Sequence, residues 1–183
     1  MRLKDDEIIM LLSQPNSSEK GLRAMMDAYQ SRLYWHIRRL IVRHDVAQDV
    51  LQDTFIKAYN NFSQFKKDSQ LFTWLYRIAT NEALQQLAKV KKMKKAWEDV
   101  EYYMQNLVAE NADHDAEEIQ ILLQKAIQIL PEKQKLVFNI RYYDELPFEE
   151  ISIILDMSVS TCKTNYHYAK QKIENYIREN HEI

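Results

Sequence analysis

One glycine, Gly21, and three prolines are all that 183 residues have for tight turns. Hairpin loops draw on glycine for their positive-φ positions, so this chain cannot supply the turns of a many-stranded sheet. Helices remain, and an all-α fold is expected. A hydrophobic fraction of 46% can build real cores, and the length suits one domain or two small ones.

The most informative stretch runs from Leu130 to Ile177. Phe148, Ile151, Ile154 and Leu155 recur at three and four, as one apolar helix face does. Asp156-Met157-Ser158 interrupts. A second pattern then places Cys162, Tyr166, Ala169, Ile173 and Ile177 on one face. The opposite face carries Ser160, Thr161, Lys163, Thr164, His167 and Lys170. Asp156 tolerates a left-handed turn better than most residues, and Ser158 or Ser160 can cap the second helix. This is the helix-turn-helix pattern, with lysines for phosphates and hydroxyls and imidazole for base edges. Periodicity alone fits equally well any two-helix corner with a solvated outer face.

Upstream, the apolar spacing predicts helices over residues 4–12, 19–43, 45–62 and 71–92. Ser18 is a candidate cap for the second. His36, among apolar neighbours, reads as a packed core histidine. In the third, Val46, Val50, Leu51, Phe55 and Ala58 point inward, while Asp49, Gln52, Asp53 and Lys57 form a polar stripe. That stripe is either plain solvation or a docking patch. Residues 60–70 form a polar loop broken by Phe62 and Phe65. In the fourth helix Phe72 and Tyr76 read as core. Trp74, Arg77 and Asn81, at i, i+3 and i+7, make a separate stripe. Rings, an arginine and an amide ahead of a lysine run suit single-stranded DNA, and core packing suits them equally. Two more helices are expected at 119–130 and 132–143, the latter starting after Pro131.

Net charge is only −2, but it is unevenly spread. Lys89, Lys91, Lys92, Lys94 and Lys95 form a basic run, whereas residues 98–118 hold many acids and no lysine or arginine. The acidic stretch, with Trp97, Tyr102, Tyr103 and Leu107 as its apolar residues, reads as a linker between two helical bodies. The single cysteine, Cys162, excludes an internal disulfide and falls on an inward helix face. No signal peptide opens the sequence and no run approaches membrane-spanning length, so a cytoplasmic location is expected. A glycine-rich phosphate loop, HExxH, CxxC and GxSxG are all missing, so neither an enzyme, a metal site nor a cofactor is expected.

Three stretches together resemble the extracytoplasmic-function (ECF) group of bacterial RNA polymerase sigma factors, within the sigma-70 family. HDVAQDVLQDTFIKAYNNFSQF, at 44–65, is similar to the group's polymerase-binding helix with its D-x-x-Q-[ED]-x-F pattern. LFTWLYRIATNEALQQLAK, at 71–89, is similar to its F-x-T-W-L-[YF]-R-I-A-x-N helix. LPEKQKLVFNIRYYDELPFEEISIIL followed by STCKTNYHYAKQKI is similar to its C-terminal helix-turn-helix.

The resemblance implies two small helical domains: a region 2-like bundle at 1–95 and a region 4-like helix-turn-helix domain at 119–183, joined by an acidic linker at 96–118. It implies a transcription initiation factor that binds core RNA polymerase, directs it to promoters and helps melt the minus-10 element. By that resemblance Asp49, Gln52, Asp53 and Phe55 would bind core polymerase. Phe65, Trp74, Arg77, Asn81, Lys89, Lys91 and Lys92 would hold single-stranded minus-10 DNA. Ser160, Thr161, Lys163, Thr164, His167 and Lys170 would read the minus-35 duplex. An anti-sigma factor, commonly a membrane protein, would be a further partner.

The chain departs from the group's pattern at the turn, where Asp156 replaces a usual glycine. Ser152 replaces a usual alanine, and Asn165 and Tyr168 stand where arginines are common. Two other readings fit the same residues. A stand-alone helix-turn-helix regulator would bind duplex as a homodimer without polymerase. A helical adaptor would bury the Trp74, Arg77 and Asn81 stripe as core.

Overall fold

The computed structural model describes residues 3–41, 43–92 and 114–180, and the regular structure among these residues is helical throughout. The α-helices are α1 (Asp5–Ser13), α2 (Ser18–Leu40), α3 (His44–Asn60), α4 (Leu71–Lys92), α5 (His114–Gln128), α6 (Glu132–Tyr143), α7 (Phe148–Leu155) and α8 (Val159–Asn180). A short 3-10 turn, Phe62–Gln64, lies between α3 and α4. The chain divides into two compact units, Met1–Lys94 and Lys95–Ile183.

In the first unit, α1 carries Asp5, Asp6 and Glu7 in its opening turn, where the positive end of the helix dipole favours them. Glu7 accepts the Lys4 backbone N–H at 2.8 Å, closing the N-terminus. Ile8 and Leu12 are the buried side of α1, packed on α2. Gly21 sits where the two helices meet. A Cβ there would lie 2.7 Å from the Leu12 nitrogen and 2.8 Å from its Cγ. The sole glycine therefore serves close helix approach, not a turn.

Ser18 does not cap α2. Ser17 holds that position, without a side-chain cap bond. The Ser18 hydroxyl instead pairs with the Tyr59 hydroxyl of α3 at 2.9 Å, tying two helices together. The helix ends at Leu40, short of the expected 43.

The core of this unit joins Met25, Leu33 and Ile37 of α2 to Phe55 of α3 and to Leu71 and Leu75 of α4. His36 is fully buried among them, as its neighbours in sequence implied. The Thr80 hydroxyl donates its one proton to the Tyr76 carbonyl at 2.8 Å. His36 Nε2, 2.8 Å from the same hydroxyl oxygen, must then be the donor in that pair. Burial, reinforced by the Arg39 charge, holds the imidazole pKa well below its ordinary value. Lys57 of α3 reaches Glu82 of α4 at 2.6 Å, on the surface of the same bundle.

In the second unit, α5 begins at His114, five residues before the apolar period starts. The residues that open α5, HDAEE, give an apolar count nothing to follow. The last residues of the expected linker, 114–118, are thus helical. Residues 96–113 of that linker, with Trp97, Tyr102, Tyr103 and Leu107, lie outside the described residues, as do Lys94 and Lys95.

A cluster of Ala126, Ile127, Leu130, Phe138, Ala169 and Ile173 holds α5, α6 and α8 together. The Lys135 ammonium donates to the Gln128 carbonyl at 2.8 Å, satisfying the end of α5. Ile151 and Ile154 of α7 and Cys162 of α8 complete the interior. Burial pushes the Cys162 thiol pKa up, so this is an inert packing residue.

The break between α7 and α8 rests on Asp156 and Ser152 together with Met157 and Ser158. Asp156 is left-handed, with φ 52° and ψ 51°. The Met157 N–H reaches back to the Ser152 carbonyl at 3.1 Å. The Ser152 hydroxyl in turn donates to the Met157 carbonyl at 2.6 Å. Of the two serines that could cap α8, Ser158 does so: its Oγ accepts the Thr161 N–H at 3.0 Å.

Candidate nucleic-acid interface

Three faces carry the residues singled out in the sequence. On α3, Asp49, Gln52 and Asp53 are all exposed. Phe55 is not: it is only 3% exposed, inside the core. It anchors the helix and cannot present itself to a partner, which corrects its grouping with the docking stripe. Ile56, 49% exposed and three residues after Asp53, is on the outer face instead. The i, i+3, i+7 spacing from Asp49 was the signal that could have found it.

The second face lies where the 3-10 turn meets α4. Phe62, Phe65 and Trp74 form one partly buried aromatic cluster. The Phe65 and Trp74 rings are 5.2 Å apart, Phe62 and Phe65 5.9 Å, and Phe62 and Trp74 6.2 Å. Arg77 and Asn81 continue outward from Trp74 along α4, both exposed. Phe72 and Tyr76, at 5% and 0% exposure, belong to the core. Lys89 is exposed, and the α4 backbone continues helical through Lys91 and Lys92, whose side chains lie outside the described residues. Lys66 and Lys67 are exposed beside the cluster, with Lys67 at φ 60°. A cavity of about 590 Å³, walled in part by Tyr59, Phe62 and Phe65, opens next to it. Phe62 and the two lysines were not among the expected site residues, because a loop has no periodicity to read.

The third face is the outer side of α8. Ser160, Thr161, Lys163, Thr164, His167 and Lys170 are all exposed. Ser160, Thr164, His167 and Gln171 recur at i, i+4, i+7 and i+11, so they form the central line of that face. Lys163 and Lys170 flank it on one side. Thr161 and Tyr168, also seven apart, flank it on the other, with Tyr168 at 50% exposure. The Lys163 ammonium stands 6.0 Å from the Phe148 ring at the start of α7. Among the described residues no group of histidines, cysteines or carboxylates could hold a metal ion. No described helix is long and apolar enough to cross a membrane.

Known families account for this arrangement. The profile of sigma-70 region 2 matches residues 25–93, and that of sigma-70 region 4 matches residues 120–173. The ECF RNA polymerase sigma factor SigW of Bacillus subtilis is 30% identical over 164 residues, covering 85% of this chain and 88% of that protein. The chain belongs to the ECF RNA polymerase sigma factors. The ECF sigma-E factor of Haemophilus influenzae is 28% identical over 186 residues, covering 97% of each chain.

Two solved structures share the fold. The sigma factor RpoE of Bartonella quintana, crystallised with the anti-sigma factor NepR, gives a TM-score of 0.67 at 20% identity, covering 88% of this chain and 99% of that one. CnrH, in complex with the cytosolic domain of CnrY, gives 0.70 at 16% identity, covering 97% and 99%. This sigma factor is thus a non-catalytic initiation factor that directs RNA polymerase to promoters. The adaptor reading fails with the family assignment, and Arg77 and Asn81 are exposed where that reading needed them buried.

Proposed function

We propose that the two units divide the promoter between them. The first docks on core polymerase through Asp49, Gln52 and Asp53, with Ile56 as an apolar contact. It holds the melted minus-10 strand on Phe65, Trp74, Arg77 and Asn81, while Lys89, Lys91 and Lys92 follow the phosphates. The second reads the minus-35 duplex with the outer face of α8. The supporting observation is the aromatic cluster beside exposed Arg77 and Asn81, on a helix that ends in lysines.

The physical chemistry suits that division. Unstacking a base costs a few kcal/mol, and stacking on an aromatic side chain returns about 1–3 kcal/mol per base. The cavity walled by Phe62 and Phe65 gives an unstacked base somewhere to go. On α8, lysines neutralise phosphates and set register, whereas polar side chains discriminate by about 1–3 kcal/mol per good base contact.

Residues 1–95 are taken as the polymerase and minus-10 domain and residues 96–118 as the linker, with α5 beginning inside its end. Residues 119–183 complete the minus-35 domain. The sigma factor acts in the cytoplasm, where polymerase is. An anti-sigma factor holds it when free, a reading supported by the anti-sigma complexes of the two structural relatives. Reconstitution with core polymerase, followed by sequencing of transcript starts, tests the whole. Defined starts preceded by a shared pair of elements are expected. Failure to bind core in the absence of any inhibitor overturns the proposal.

A further inference from the structure

The reading face of α8 has no arginine. None occurs between Arg141 and Arg178, so the guanidinium fork that pairs with guanine O6 and N7 is absent from this helix surface. Arg141, before the turn, donates to the Leu146 carbonyl at 2.9 Å and so is engaged in holding the loop ahead of α7.

Two of the polar side chains on α8 are also committed to the helix itself. The Thr161 hydroxyl pairs with the Ser158 hydroxyl at 2.7 Å, within the cap of the helix. Asn165 donates its amide to the Thr161 carbonyl at 2.9 Å. One of its two N–H groups is therefore engaged with the helix backbone in the free protein. Lys163 leans toward the Phe148 ring and, with Lys170, occupies the flank opposite Thr161.

What the Thr161 flank does present is a ring. Tyr168 is 50% exposed, one turn beyond Thr164, and the His167 ring lies beside it with centroids 5.7 Å apart. An exposed aromatic edge in a major groove meets one apolar group that marks sequence, the 5-methyl of thymine. We propose that Tyr168 determines specificity by packing its ring against a thymine methyl in the duplex element that α8 reads. This rests on the reading of α8 as the duplex-binding helix.

The test uses full-length protein assembled with core polymerase and a randomised duplex library, with the enriched duplex as probe. Each thymine in that probe is replaced in turn by deoxyuracil, which removes only the methyl. At one position affinity falls about fourfold, the ratio expected for burying one methyl group. Tyr168→Ala abolishes the difference between the two probes, and Tyr168→Phe keeps it, since the ring and not the hydroxyl makes the contact. Tyr168 is half exposed, so both variants fold, which thermal melting checks. Equal affinity for all thymine and deoxyuracil probes overturns the proposal, as does a methyl preference that survives Tyr168→Ala. If no duplex is enriched at all, the assignment of α8 as the reading helix falls, and this inference with it.

Discussion

His36 Nε2 lies 2.8 Å from the Thr80 hydroxyl, which joins α2 to α4 inside a core that admits no water-exposed histidine. Nε2 donates in this pair whether or not the ring is charged, so it is burial, reinforced by the Arg39 charge, that keeps the imidazole neutral by lowering its pKa. The unfolded chain has no such constraint and protonates near the ordinary value of about 6.5. Below that pH the unfolded state binds more protons, so this contribution to stability is complete above about pH 6.5 and shrinks as pH falls. Its slope is at most about 1.4 kcal/mol per pH unit. Urea titrations from pH 7.5 to 5 are expected to show this loss, and His36→Gln to flatten it. Parallel pH curves for the two proteins would contradict the assignment.

The turn between α7 and α8 carries a second prediction. Asp156 is left-handed where glycine would be unstrained, and the Ser152 hydroxyl braces the next carbonyl. Ser152→Ala is expected to destabilise the second unit by about 1 kcal/mol, the net value of one hydrogen bond. Asp156→Gly is expected to relieve strain by about 1 kcal/mol. Denaturant midpoints of the two variants, shifting in opposite directions, check the claim.

Trp74 packs against both Phe62 and Phe65, and its removal breaks the aromatic cluster without emptying the core. Trp74→Ala is expected to lower open-complex formation by about tenfold, consistent with losing one stacked base. Duplex binding is expected to change far less. Permanganate footprints of the melted region, compared with duplex affinity, separate the two effects. Wild-type footprints would refute it.

Lys163 is exposed beside the start of α7, on the cationic flank of α8. Losing one phosphate contact reduces the slope of log K against log salt by about 0.9. Lys163→Ala is therefore expected to bind promoter more weakly at low salt and to converge with wild type as salt rises. A slope equal to the parent's would show that Lys163 touches no phosphate.

Gly21 gives a prediction independent of function. An added Cβ meets backbone atoms of Leu11 and Leu12 and cannot be accommodated by rotating a flexible side chain. Gly21→Ala is expected to cost about 1–3 kcal/mol through overpacking, despite alanine's better helix propensity. Thermal unfolding of the variant measures it.

Helix identity was legible because apolar spacing reports it, and glycine poverty had already excluded the alternatives. Asp156 was legible too, and the cap was narrowed to Ser158 or Ser160, since local backbone chemistry selects few residues for a left-handed turn and a cap. What escaped were features set by tertiary contact. Ser18 looks like a cap in sequence, but Tyr59, forty-one residues away, takes its hydroxyl. The first turn of α5 is polar and has no apolar phase to count. Phe62 and Lys67 lie in a loop segment whose shape no period encodes. The exposure of Tyr168 follows from its helical phase, but its prominence depends on Thr161 and Asn165 being tied back to the helix.

The meeting of α1 with α2 at Gly21 makes the first helix a cover for the second. Remove it by a cut between Ser13 and Ser18, and the glycine notch, with Met25 and Tyr29 along the same seam, faces solvent. A shortened product would keep its second unit intact while turning sticky along the exposed seam, which makes clipping here a route to aggregation.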